Sequence, residues 1–62
     1  MNRIVVELVN DRRARMMFYR ATDEKGRSGE SDRVRSFRDL HAQAALATQA
    51  VSRLGERLES AS

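Results

Sequence analysis

The spacing of apolar and polar positions changes its period once along the chain, near Ser36. Before that point, Ile4, Val6 and Leu8 alternate with Val5, Glu7 and Val9. This β-branched run predicts a strand over residues 3–9. The polar stretch Asn10-Asp11-Arg12-Arg13 predicts a turn. A second strand is predicted over residues 14–21, and a turn this short makes an antiparallel hairpin the natural pairing. Residues 22–32 are polar, hold Gly26 and Gly29, and read as a mobile loop. Arg33-Val34-Arg35 alternates with period two and is a candidate third strand.

After Ser36, Phe37, Leu40, Ala44, Ala47, Val51, Leu54 and Leu58 recur at intervals of 3, 4, 3, 4, 3 and 4 residues, once Phe37 is taken as the start. This is the seam of an amphipathic helix running from residue 37 to about 59. Ser36 with Asp39 predicts its capping box, and Gly55 is a weak point. The fold class expected is α+β: a two- or three-stranded antiparallel sheet, hairpin first, packed on one long C-terminal helix. Ile4, Val6, Leu8, Met16 and Phe18 are expected to face that helix as one two-layer core.

Chain length limits what such a fold holds. The 62 residues make one domain, 1–62, and a domain near this size buries only about 60% of its unfolded surface. Oligomerisation is a common remedy. The expected helix is roughly 34 Å long at about 1.5 Å per residue. A seven-residue strand spans only about 23 Å at roughly 3.3 Å per residue. The overhang would carry Val51, Leu54 and Leu58, and a helix-to-helix homodimer would cover them.

Composition narrows the chemistry. The absence of Cys excludes disulfides and thiolate metal sites, and a single His41 cannot build a multi-His site. No apolar run reaches the roughly 18–20 residues of a membrane span or the form of a signal peptide. The expectation is a cytoplasmic protein without catalytic activity, cofactor, metal or membrane contact. The 12 basic residues against 9 acidic ones leave a net charge of +3, and 11 of the 12 are Arg. Arg forks suit phosphates and carboxylates, while a GC-rich genome would produce the same bias.

With the inner face assigned as above, the outer sheet face would show Val5, Glu7, Val9, Arg15, Met17 and Tyr19, joined by Arg33 and Arg35. Arg contacts to phosphates with Tyr stacking on a base would bind a nucleic acid or nucleoprotein. The candidate residues are Arg12, Arg13, Arg15, Tyr19, Arg33 and Arg35. An alternative is a host-protein partner held by Val5, Val9, Met17 and Tyr19, whose apolar character suits a protein surface. A plain solvated surface and a dimerisation module are the remaining readings.

The run Arg15-Met16-Met17-Phe18-Tyr19-Arg20, the turn Asp23-Glu24-Lys25-Gly26 and the start Ser36-Phe37-Arg38-Asp39 resemble the small arm-type DNA-binding domain of tyrosine integrases. That resemblance covers about two-thirds of the chain and implies DNA binding by the sheet. The family's Lys-Glu-Ala helix start is absent. By type only, the chain is similar to small phage-encoded inhibitors such as anti-CRISPR proteins, which implies a phage or mobile-element origin.

Overall fold

Two aspartate-centred turns fold the first half of the chain into a three-stranded meander. The computed structural model describes residues 3–60, with β1 (Val5–Asp11), β2 (Met16–Thr22), β3 (Ser28–Glu30) and α1 (Leu40–Ser60). The sheet is antiparallel in the order β1-β2-β3. At the first turn, Asp11 Oδ1 accepts the N–H groups of Arg13 and Ala14 at 3.1 and 3.2 Å. Arg15 then closes the turn at φ 57°. At the second, Asp23 Oδ1 accepts the N–H groups of Lys25 and Arg27, and Gly26 takes φ 83°. Side-chain capping of this kind is why Asp opens turns, and Gly supplies the left-handed residue without a Cβ clash.

The α+β class, with the hairpin first and one long C-terminal helix, is as expected. The third strand is not where the period-two run placed it. It is Ser28–Glu30, inside the segment read as a loop, while Val34 forms only an isolated bridge to Met17. The cause is Gly29. A Cβ there would meet Leu54 N, with Ala50 O at 2.6 Å and Arg53 C at 2.8 Å, all helix backbone. Only a glycine lets β3 and α1 approach so closely.

The helix also begins later than expected. Asp39 is its N-cap, its Oδ1 accepting the N–H of Ala42 at 2.9 Å, and the first helical residue is Leu40. The expected capping box on Ser36 does not form, because Phe37 leaves the helix to stack against Tyr19, ring centroids 5.8 Å apart.

Strand pairing fixes the faces. Leu8 opposes Tyr19 and Val6 opposes Ala21, and directly opposed residues share a face. Val6 and Leu8 are therefore on the helix side, as expected, but β2 is turned by one residue. Tyr19 and Ala21 face α1, whereas Met16 and Phe18 face away from it. A one-residue shift in register flips every side chain of a strand. The core is Ala21, Ala50 and Leu54, with Tyr19 and Leu58 packed against it.

The heptad seam holds in part: Leu54 and Leu58 meet the core as expected, while Leu40 and Val51 do not. Ala50 and Leu54 are buried, while Leu40 is 79% exposed and Val51 is exposed. The helix lies over β2 and β3 and barely touches β1. Of the three residues expected to form a helix-to-helix dimer, Leu54 is fully buried in its own core and Leu58 packs on that core. Only Val51 is left on the surface.

Candidate functional site

Nine of the eleven arginines separate into three groups once the strands are paired; of the other two, Arg27 pairs with Asp23 at 2.7 Å and Arg3 precedes β1. The first lies on the outer face of the sheet. Arg20 donates from Nε to Glu30 at 2.9 Å and sits 3.9 Å from Glu7, and Arg33 Nη2 reaches Glu30 at 3.5 Å. Their guanidiniums also lie over the Phe18 ring, 5.5 and 4.3 Å from its centroid. This explains how Phe18 is only 4% exposed on a face that no helix covers. Long Arg stems shield apolar surface while the cations hold the ring face. The outer sheet face is thus a ladder of alternating charge, Glu7-Arg20-Glu30-Arg33, closed on itself.

The second group ties the helix to the β3 edge. Arg53 donates to Glu30 O at 2.8 Å and to Asp32 Oδ1 at 2.9 Å, and Arg57 donates to Ser28 O at 3.0 Å. The Arg53 hydrogen bond, helped by one from Gln49, holds the Asp32 carboxyl below its ordinary range. At Asp23, partial desolvation pushes the carboxyl up, but hydrogen bonds from Arg27 and Lys25 outweigh it and the net direction is down. A concavity of about 500 Å³ lies beside these arginines, and its lining includes Glu30, Arg53, Glu56 and Arg57. Its guanidiniums are already donating to backbone oxygens.

The third group gathers at the end of the molecule formed by the β1–β2 turn. Arg12, Arg13 and Arg15 are exposed around that turn. The antiparallel bridge between Val34 and Met17 carries Arg35 back alongside the start of β2. Arg38 follows on the way to the helix N-terminus, which lies at this same end because the helix C-terminal Leu58 lies near Asp23 and Lys25 at the other. Among the described residues none of these five guanidiniums is in an ion pair. The nearby carboxylates of Asp11 and Asp39 are engaged as acceptors of backbone N–H.

Of the sequence-derived candidates, Arg12, Arg13, Arg15 and Arg35 are therefore brought together, although Arg15 belongs to the turn and not to the outer sheet face. Arg33 is on the outer face but paired. Tyr19 is not on that face at all: it packs against Phe37 and the core, and its N–H donates to Ser31 Oγ at 2.9 Å. Arg38 escaped the candidate set because it sat inside the expected helix. The protein-binding set is divided between the two faces. Val5 and Val9 lie on the outer face, Met17 and Tyr19 on the helix side. His41 is exposed on the first turn of α1. Among the described residues no cluster of three metal-ligating side chains occurs, and no helix is long and apolar enough to cross a membrane.

Comparison with known proteins returns no match to a family model, a curated protein or a solved structure.

Proposed function

We propose that the chain binds a polyanion, a nucleic acid or nucleoprotein, through the arginine-rich end formed by Arg12, Arg13, Arg15, Arg35 and Arg38. The observation that carries this reading is the gathering, from separate segments, of five guanidiniums without an ion pair among the described residues, whereas Arg20, Arg33, Arg53 and Arg57 on the sheet face and helix are engaged. Phosphate contacts need such free forks, and they set affinity without reading sequence. The partial positive charge of the α1 N-terminus points the same way.

Arg15 adds a second support. A non-glycine residue at positive φ is strained by about 1 kcal/mol, and Gly would fit the turn better. Retention of a long cation at a strained backbone position is common at binding sites. Arg15→Gly should therefore raise stability by about 0.5–1 kcal/mol and weaken binding.

Fluorescence anisotropy with a short DNA duplex and a single-stranded RNA across a salt series tests this reading. Each phosphate contact contributes about 0.9 to the slope of log K against log salt on duplex DNA. Replacing Arg12, Arg13 and Arg35 together by Gln should lower that slope by roughly 2–3. Arg20→Gln should leave the slope alone. Equal binding by the triple variant and the parent chain would reject the site, and loss of all binding at about 0.15 M salt, where the Debye length is roughly 8 Å, would reject the function.

A further inference from the structure

The two long borders of the sheet are finished differently. Met17 and Val34 exchange both backbone bonds, and Tyr19 O accepts the N–H of Ser31. Odd-numbered residues of β2 thus point their peptide groups toward β3, and even-numbered ones toward β1. By the alternation of an antiparallel ladder, odd residues of β1 bond β2. The peptide groups of Ile4, Val6, Leu8 and Asn10 are therefore aimed at the free edge. On the other border, the outward carbonyls of Ser28 and Glu30 are capped by Arg57 and Arg53.

The uncapped border is also the apolar one. Ile4, Val6 and Leu8 face the helix side but are 42, 40 and 50% exposed, since α1 lies over β2 and β3. The side of α1 opposite Arg53 and Arg57, which carries Leu40, Ala44 and Val51, flanks this bare strip. The chain exposes 5037 Å² at 7.1 kDa. A folded monomer of that mass is expected to expose about 4,100 Å². The excess, roughly 900 Å², is comparable with the roughly 800 Å² that one partner contributes to a standard interface.

We infer that a second copy of this chain adds along the β1 edge, antiparallel and centred on Val6, to make a six-stranded sheet about a two-fold axis. The strand is self-complementary in that register. Val6 meets Val6 of the second copy, and Ile4 meets Leu8, all on the helix side. On the other face Val5 opposes Glu7, and Arg3 lies diagonally across from Glu7, within reach of a long side chain. Glu7 is exposed and its own cation, Arg20, is 3.9 Å away, so it has capacity for a second. The neighbouring registers are worse. Centring on Glu7 sets two carboxylates directly opposite, and centring on Leu8 opposes Val6 to Asn10 and leaves Ile4 unpaired. The edge amides supply affinity as in strand addition generally, and isologous pairing closes the assembly at two chains.

Sedimentation equilibrium of the full chain tests the proposal. The parent should show a monomer–dimer equilibrium. Val6→Lys should weaken it roughly tenfold or more by placing two ammonium groups opposite each other on the axis. Its far-UV circular dichroism should be unchanged, because Val6 is a surface residue of the single chain. Arg3→Glu and Glu7→Arg should each weaken dimerisation, and the double exchange should restore it. A parent that stays monomeric at millimolar concentration overturns the proposal. So does a dimer that ignores Val6→Lys and the charge exchanges, and breaks instead with Val51→Asp, which would assign the contact to the helix flank. A protein of another kind captured by a parent that remains monomeric would also overturn it. The triple Gln variant of the arginine-rich end should dimerise like the parent, so this test and the polyanion test fail separately.

Discussion

The β3 side and the β1 side of this small sheet are built from strands of the same meander, yet one is closed and the other open. On the β3 side a glycine admits the helix backbone to contact distance. Leu54 and Ala50 fill the space behind it, Ser31 takes over the hydrogen bonds of Tyr19 where the strand ends, and two arginines cap the edge carbonyls. On the β1 side, three aliphatic side chains stay 40–50% exposed and a row of peptide groups faces outward. The difference teaches that apolar content does not locate a core. The strand richest in β-branched residues is the least buried, and the shortest strand, Ser-Gly-Glu, anchors the helix. Close backbone approach and polar satisfaction decided the packing, as they do where few residues are available.

The largest effect should come from breaking the close approach. Gly29→Ala drives a methyl group into helix backbone that cannot yield by rotating a side chain, so it should cost about 4 kcal/mol or more and leave the chain largely unfolded by circular dichroism. Leu54→Ala removes the largest buried side chain of the core and should cost about 2–5 kcal/mol in urea unfolding. Loss of less than about 1 kcal/mol there would mean that the core lies elsewhere.

Opening the capped edge should make the two sides alike. Arg53→Ala with Arg57→Ala should cost about 1–3 kcal/mol through lost charge-assisted hydrogen bonds. It should also drive association beyond a dimer, detected by light scattering, since both borders could then pair. Acid should work in the same direction more gently. The Asp32 carboxyl is depressed below 3.8 by Arg53 in the folded chain, so its tie contributes fully above that pH and is lost as pH falls through the lower folded value. Arg53→Ala should remove that part of the acid sensitivity of thermal unfolding. The smallest effect is expected on the open side, where Leu8→Thr should change single-chain stability by no more than about 0.5 kcal/mol while weakening self-association.

How far the molecule was legible depends on the redundancy of each signal. The order of strands before helix, the α+β class and the two turns could be read because β-branched runs, aspartate-initiated turns and a 3–4 periodicity are local properties of the chain. The face of β2 could not. Met16, Met17, Phe18 and Tyr19 are four consecutive apolar-bodied residues, so either register buries two of them, and Tyr19 was assigned to the wrong side. β3 carried no apolar pattern, and the one signal that could have found it was a glycine between Ser28 and Glu30. Arg12, Arg13 and Arg35 could be nominated for a binding surface from charge alone. Whether a given arginine was free could not, because Arg20 and Arg33 differ from them only in having Glu30 and Phe18 within reach.

The amino-acid sequence by itself determined the kind of elements, their order and the two turns, because these depend on contacts a few residues apart. Tertiary structure alone decided which face of β2 is inside, which border of the sheet is closed and which arginines remain unpaired. Each of those depends on groups far apart in the chain meeting at distances of a few ångströms, and local pattern carries no information about that meeting.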